Sequence, residues 1–303
     1  MAFAVLNGIA FKQAWSMTHF TVGSAKAVSL HGLSAWERVR ILAGGIAVTR
    51  PVNAKNPLDY GMKFSTVRFP SGKEGVLEGW LIAGSGNKPP VIMFHGYAAG
   101  KGGLLESARY FHQLGYPVFM VDFRGSGGSF GNSTSIGYHE AGDVLNTVRY
   151  AAGIFAKGPP IIFGRSMGAA AILRAMRDLG LKPGMLILES PFDALLHTVA
   201  NRFRMMGVPA FPGAELLTFW GSLQGGFNGF ALKPAEYAKS VHVPVLVMCG
   251  DRDRRVSVGE VESVYGNLAG EKVLKVFRGA GHEGFEVEKA REWRKAVREF
   301  LKQ

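Results

Sequence analysis

The chain has 303 residues, of which 47% are hydrophobic and 19% charged, and its formal net charge is +12. This composition indicates a globular protein that can bury a large core, and it excludes a disordered chain. The basic residues are dispersed, with no run of five or more Lys or Arg and no nucleic-acid-binding motif. The sequence therefore predicts no nucleic-acid partner.

Residues 1–14 are mainly apolar, but Asn7 and Lys12 interrupt the run. The segment is too short to cross a bilayer, and it lacks the basic region and cleavage site of a signal peptide. Three interpretations stay open: the remnant of an anchor, a helix on a membrane surface, or a helix packed on the protein itself. The single cysteine, Cys249, excludes an internal disulfide and is typical of a reducing compartment. We expect a cytoplasmic protein, with peripheral membrane contact through the N-terminal segment as an open alternative.

A helical extension is predicted over residues 1–60. Its second part, AWERVRILAGGIAV after Ser34, has an amphipathic pattern, and Gly44-Gly45 or Pro51 would end the helix. From residue 64 onward, short apolar strands alternate with helices. The first two strands, 65–69 and 76–82, flank a glycine-containing turn and predict a hairpin.

The later strands are continuous apolar runs, typical of strands buried on both faces of a parallel sheet. We expect these strands at residues 91–94, 117–121, 160–163, 185–188, 243–248 and 272–277, and helices at residues 104–114, 138–156, 169–179, 257–268 and about 284–301. The alternation predicts an α/β core over residues 61–191 and 241–303, with a mostly parallel sheet covered by helices on both faces.

Residues 192–240 interrupt this alternation with an aromatic-rich insertion. The segment is too long for a crossover connection and too apolar for a solvent-exposed loop. We expect a helical lid over the carboxyl edge of the sheet, with Phe219 and Trp220 lining a pocket for an apolar substrate group.

The most informative stretch is G-R-S-M-G at residues 164–168, between a predicted strand and an alanine-rich helix. This context is the one that a nucleophile elbow requires, because a sharp strand-to-helix turn exposes the central serine. Ser166 is therefore the candidate nucleophile, and the backbone N–H of Met167 would face an oxyanion. The glycine-rich loop at residues 125–130 lacks the third glycine and the following helix of a dinucleotide-binding motif, so we expect no organic cofactor.

A serine nucleophile needs a base and an orienting acid. In open α/β sheets, reactive groups gather at the carboxyl ends of strands. The predicted strands that follow the serine end next to Asp251 and Asp253, and then next to His282. The order Ser, Asp, His is thus present, with two aspartates competing for one role.

Five motifs together resemble the α/β-hydrolase superfamily, and within it the bacterial serine esterases and aminopeptidases. They are H-G at residues 95–96, D-x-R-G-x-G-x-S at 122–129, G-x-S-x-G at 164–168, G-x-x-D-x-x-V at 250–256 and G-x-G-H at 279–282. The resemblance covers residues 64–303 and leaves out the N-terminal extension and the lid. It implies an eight-stranded sheet, His282 as the base, and Asp253 rather than Asp251 as the acid.

The resemblance also makes the residue after His95-Gly96, Tyr97, the second oxyanion donor through its backbone N–H. It implies acyl transfer without a metal or a cofactor. A carboxylesterase acting on a small-molecule ester is the leading prediction because the insertion is apolar. A thioesterase, a lipase, a peptidase and a catalytically silent ligand-binding protein are the alternatives.

Overall fold

The computed structural model describes residues 2–23, 34, 36, 41, 44–45, 47–155, 157–282 and 284–302. The amphipathic helix predicted after Ser34 lies for the most part outside these residues. Eight strands are present: β1 (Ser65–Ser71), β2 (Gly75–Ile82), β3 (Val91–Phe94), β4 (Val118–Val121), β5 (Ile161–Arg165), β6 (Met185–Glu189), β7 (Val245–Gly250) and β8 (Lys272–Phe277).

The eight strands form one sheet in the order β1-β2-β4-β3-β5-β6-β7-β8. The β1–β2 hairpin is antiparallel, β2 is antiparallel to β4, and every other pair is parallel. Every residue of β3, β4, β5 and β7 is buried. The continuous apolar runs in the sequence therefore reflect strands covered on both faces.

Ten α-helices lie within the described residues: α1 (Ala2–Thr18), α2 (Leu105–Gln113), α3 (Glu140–Ala152), α4 (Met167–Leu179), α5 (Leu195–Met205), α6 (Gly213–Gly225), α7 (Pro234–Ala238), α8 (Val258–Asn267), α9 (Phe285–Glu288) and α10 (Ala290–Phe300). Apolar residues of α3, α4 and α8 pack on one face of the sheet. Those of α2 and α10 pack on the other face. This is the predicted α/β architecture, and the carboxyl ends of β3 to β8 meet at one edge.

The predicted C-terminal helix is divided into α9 and α10. Lys289, between them, has φ −122° and ψ 34°, which is outside the helical region. The apolar periodicity continues across the break, since Phe285, Trp293, Val297 and Phe300 are all buried. For this reason the sequence pattern indicates one helix where the backbone forms two.

The N-terminal residues form a helix that packs on the insertion. Trp220 Nε1 of α6 donates a hydrogen bond to Asn7 Oδ1 of α1 at 3.1 Å, and Gln224 Nε2 donates to the Phe11 carbonyl oxygen at 2.9 Å. The rings of Phe11 and Trp220 meet edge to face, with centroids 5.3 Å apart. Helices α1, α5 and α6 thus lie together beside the carboxyl edge of the sheet. None of the helices in the described ranges has the length and apolarity to span a membrane.

Candidate active site

The nucleophile turn lies between β5 and α4. Ser166 adopts φ 52° and ψ −111°, a conformation that is strained for a residue with a side chain. A Cβ atom on Gly164 would lie 2.3 Å from Cδ1 of Ile172, and one on Gly168 would lie 2.6 Å from the Phe94 carbonyl oxygen. Glycine is required at both positions because strand, turn and helix approach so closely.

Three side chains from three strand ends form a continuous hydrogen-bonded line. Ser166 Oγ lies 3.0 Å from His282 Nε2, and His282 Nδ1 lies 2.6 Å from Asp253 Oδ2. The other carboxylate oxygen of Asp253 accepts the backbone N–H groups of Arg255 at 2.8 Å and Val256 at 3.0 Å. These contacts fix the carboxylate, so it can orient one tautomer of the imidazole.

The competing aspartate, Asp251, is exposed and makes a different hydrogen bond. Its Oδ1 accepts the backbone N–H of Gly279 at 2.6 Å. Asp251 therefore ties the end of β7 to the loop that carries His282. The structure brings Asp253, and not Asp251, to the imidazole.

Two backbone N–H groups belong to chain segments next to Ser166. A Cβ atom on Gly96 would lie 3.6 Å from Cβ of Ser166, so the loop after β3 passes directly over the nucleophile turn. Tyr97 follows in this loop, and Met167 is the first residue of α4. In the part of the chain that the structure describes, neither N–H donates to a protein acceptor. Two free donors beside a nucleophile are the arrangement that stabilises an oxyanion.

The loop that carries Tyr97 is held by buried polar contacts. His95 Nδ1 donates to the Gly96 carbonyl oxygen at 2.8 Å, and His95 Nε2 accepts the Phe123 N–H at 3.0 Å. Burial lowers the pKa of His95, and because Nε2 accepts a hydrogen bond, this nitrogen carries no proton. Asp122 accepts the backbone N–H of Lys101 at 2.7 Å and also pairs with the buried Lys101 ammonium.

A cluster of buried charged side chains surrounds Arg165, the residue directly before Ser166. Arg165 Nε donates to Glu189 at 2.6 Å, and Arg165 Nη2 lies 2.9 Å from Glu286. Trp293 Nε1 donates to the second oxygen of Glu189 at 2.7 Å. Although burial opposes it, the two carboxylates raise the pKa of Arg165. Arg165, which directly precedes Ser166, is therefore held in place by these buried ion pairs and does not face substrate.

A cavity of about 840 Å³ opens beside the oxyanion loop. Its wall includes Tyr97 and Ala98, the residues that follow Gly96 in that loop. The remaining wall comes mainly from α1, α5, α6 and the loop between α5 and α6, together with Ile41, Val48, Ala99 and Arg255, and most of it is apolar. Its apolar lining includes Leu6, Ile9, Ala10, Met17, Phe203, Met206, Pro209, Phe211, Leu216 and Leu217.

Phe219 and Trp220, predicted to line the substrate pocket, are not among the residues of this wall. Trp220 faces α1 and bonds to Asn7, and the Phe219 side chain is half exposed on the outer surface of α6. Leu216 and Leu217 supply the α6 part of the cavity wall, and α1 supplies another part that the sequence did not suggest.

The chain resembles known proteins both in sequence and in structure. Residues 86–212 match the family described as "Serine aminopeptidase, S33". The structure superposes on an esterase of Pyrococcus furiosus, Pf2001, with a TM-score of 0.70 and 24% identity over 84% of this chain and 96% of that one. The chain has the α/β-hydrolase fold, and the family match and these neighbours support a serine hydrolase of that superfamily.

The chain is also similar in sequence to several known proteins. It is 27% identical to the Bacillus subtilis protein YqkD, described as uncharacterized, over 74% of this chain and 75% of YqkD. It is 26% identical to the lysophosphatidylserine lipase ABHD12 of Rattus norvegicus, over 71% of this chain and 56% of that lipase. A bacterial membrane phospholipase A shares the fold, with a TM-score of 0.58 and 19% identity over 80% of this chain and 86% of that one.

The glycine-rich loop of the hydrolase has a structural role. The carbonyl oxygens of Gly127 and Ser129 accept hydrogen bonds from the Arg50 guanidinium at 3.1 and 2.5 Å. The N–H of Gly127 donates to the Pro51 carbonyl oxygen at 2.9 Å. The loop thus fixes the chain that leads into the core. Within the ranges given above, no cluster of three or more His, Cys, Asp or Glu side chains could hold a metal ion.

Proposed function

We propose that this hydrolase is a serine carboxylesterase that cleaves esters with a long apolar acyl chain. The observation that carries the proposal is the Ser166–His282–Asp253 line, with spacings of 3.0 and 2.6 Å, beside two free backbone donors. A nucleophile bonded to a base, and a base bonded to an orienting acid, is the arrangement of acyl-transfer enzymes.

In the proposed mechanism, Ser166 Oγ attacks the ester carbonyl carbon while its proton passes to His282 Nε2. The N–H groups of Met167 and Tyr97 bind the negative oxygen of the tetrahedral intermediate. The bond to the alcohol oxygen then breaks, and His282 returns the proton to the leaving alcohol. A water molecule, deprotonated by His282, attacks the acyl-enzyme and releases the acid and free Ser166. Asp253 holds the imidazole and stabilises its positive charge during both steps.

The cavity supports an apolar acyl group over an amino-terminal peptide. No acidic residue belongs to its described wall, whereas Arg202 does. A pocket for the ammonium group of a peptide amino terminus needs negative charge, and positive charge repels it. The esterase and lipase neighbours agree with this choice, although the matching family profile carries the name of an aminopeptidase.

A series of p-nitrophenyl esters from acetate to dodecanoate tests the proposal, together with aminoacyl p-nitroanilides. We expect kcat/KM to rise with chain length, and we expect Ser166→Ala to abolish turnover while the protein stays folded. Faster cleavage of the anilides than of every ester would contradict the esterase proposal. Full turnover by a folded Ser166→Ala variant would move the nucleophile to another residue.

A further inference from the structure

The apolar cavity contains an arginine, Arg202, that has no anionic partner among the residues that the structure describes. Arg202 extends from α5 into the cavity wall, next to the oxyanion-loop residues Tyr97 and Ala98. In the described ranges it forms no ion pair and no side-chain hydrogen bond with another residue. A partly buried guanidinium without an anionic partner can bind an anion from outside the protein, and such groups commonly serve a ligand.

Asp253 and Glu260, the acidic groups that influence Arg202, accept hydrogen bonds from other residues. Asp253 binds His282 and the backbone N–H groups of its own loop. Glu260 Oε2 accepts from Asn201 at 2.9 Å and from the Ser257 hydroxyl at 2.8 Å. The Tyr97 phenol cannot serve as the anion either, because burial raises its pKa to about 12. It donates instead to the Met17 carbonyl oxygen.

The electrostatic setting of Arg202 favours an anion from outside the protein. Burial lowers the pKa of Arg202, and the positive charge of Arg255 lowers it further. Arg255 lines the same cavity. A carboxylate or phosphate in the cavity would relieve this repulsion, and the planar guanidinium can bind either group with two parallel hydrogen bonds.

We propose that the cavity binds a single-chain ester that carries an anionic group near its scissile bond, and that Arg202 binds that group. The inference rests on the proposed esterase function and deepens it. The acyl chain would lie among the apolar residues of α1 and α6, with the carbonyl carbon near Ser166. The anionic group would then lie on the side of the cavity where Arg202 meets the oxyanion loop. Arg202 is a specificity-determining residue in this arrangement.

Three esters with the same acyl chain test the proposal: 1-decanoylglycerol, its 3-phosphate, and 3-decanoylglycerate as the carboxylate. Each is measured at concentrations where it stays monomeric. We expect the wild-type enzyme to prefer an anionic ester over the neutral one by at least tenfold in kcat/KM. Arg202→Gln should lower kcat/KM for the preferred anionic ester by about 10- to 100-fold, the range expected for charge-assisted hydrogen bonds. The neutral ester should change by less than about threefold.

Arg204→Gln is the matched control because it removes the same charge from the same helix. Arg204 is exposed and does not line the cavity. Equal loss on neutral and anionic esters in Arg202→Gln would overturn the proposal, as would an equal effect of Arg204→Gln. If Arg202→Gln does not fold, the test is the preference of the wild-type enzyme for an anionic ester over the neutral one. Equal kcat/KM values for all three esters would then overturn the inference. If the wild type cleaves none of the esters and no p-nitrophenyl ester, the esterase proposal itself fails.

The ratio between the two anionic esters identifies the recognised group. A higher kcat/KM for the 3-phosphate supports a phosphate ligand, and a higher value for the glycerate supports a carboxylate ligand. In either case, Arg202→Gln should reduce the larger rate toward that of 1-decanoylglycerol.

Discussion

At the scale of single residues, two aspartates two positions apart have separable roles. Asp253 contacts His282 Nδ1 at 2.6 Å, whereas Asp251 binds the Gly279 N–H. Asp253→Asn should lower kcat by a factor on the order of 10⁴, because the amide no longer holds the productive tautomer of the imidazole. Asp251→Asn should cost about tenfold at most and should act mainly through stability. Steady-state kinetics on one ester, with melting temperatures of both variants, measures the difference.

Asp251→Asn is itself the matched control, since it makes the same chemical change in the same loop. If the two variants rank in the opposite order while both remain folded, then Asp251 is the acid. Equal small losses would show that neither carboxylate orients the base.

Residues at strand ends were predictable, and residues on helix faces were not. Ser166, Asp253 and His282 each follow a strand of a parallel sheet, so chain topology alone brings them to one edge. Phe219 and Trp220 lie on α6, where the direction of each side chain depends on what the helix packs against. Its packing partner is α1, about 200 positions earlier in the chain. No local pattern in the sequence carries that information, and the same reason kept Arg202 from being recognised.

At the scale of elements, helix α6 should determine which acyl chains fit. Leu216 lines the cavity, so Leu216→Trp should fill part of it. We expect kcat/KM for p-nitrophenyl decanoate to fall about tenfold or more relative to acetate, because the added ring displaces several methylene groups. Leu223→Trp is the control: Leu223 is an exposed residue of the same helix that does not line the cavity. If Leu216→Trp lowers kcat/KM by the same factor for every ester in the series, the acyl chain binds elsewhere.

The loop after β3 should depend on the buried pair of Asp122 and Lys101. Lys101 is fully buried and also lies 3.0 Å from Glu78. Asp122→Asn should lower the free energy of unfolding by about 3 kcal/mol at pH 7, because it leaves a buried ammonium poorly compensated. Urea unfolding measures this loss. Glu106→Gln, which breaks the partly exposed Glu106–Arg109 pair, should cost less than about 1 kcal/mol.

The pair of Asp122 and Lys101 should also make the free energy of unfolding depend on pH. Lys101 lowers the pKa of Asp122 below its ordinary value of 3.8, against the opposing effect of burial. The carboxylate therefore contributes stability above its ordinary pKa, and this contribution is lost as the pH falls through the lowered one. The difference in unfolding free energy between wild type and Asp122→Asn should be smaller at pH 3 than at pH 7. If the difference in unfolding free energy is the same at pH 3 and pH 7, titration of the Asp122 carboxylate is not its source.

The secondary-structure elements of the core were predictable because burial on both faces leaves long apolar runs. All eight strands lie at the predicted places, within a few residues. The break at Lys289 was not predictable, since buried residues recur on both sides of it. The contribution of α1 to the cavity also could not be inferred, because its exposed and buried apolar residues are alike in sequence.

At the scale of the whole molecule, an apolar surface surrounds the region where α1 meets the insertion. Phe3 of α1 is 75% exposed, Phe211 before α6 is 77% exposed, and Phe219 is 49% exposed. Lys12 is the only charged residue in α1, and the chain carries a net charge of +12. We propose that this surface contacts anionic membranes peripherally, since exposed aromatic groups and positive charge both favour lipid binding.

Co-sedimentation with vesicles of anionic and of neutral phospholipid tests this contact. At low salt, we expect the full-length protein to pellet with anionic vesicles, and we expect high salt to weaken the binding. Phe3→Ser combined with Phe219→Ser should reduce the pelleted fraction severalfold. Ile154→Ser, at an exposed apolar residue in the loop before β5, is the control. A full-length chain that stays in the supernatant at low salt would refute the membrane contact.

The proposed esterase activity requires that Ser166 is an activated nucleophile in the folded protein. The most direct measurement is mass spectrometry of the protein after reaction with a fluorophosphonate, which phosphonylates activated serines. We predict one adduct on the peptide that contains Ser166, no adduct in Ser166→Ala, and a strongly slowed reaction in His282→Ala. A folded wild-type protein that forms no adduct, or an adduct that persists in Ser166→Ala, would contradict the account.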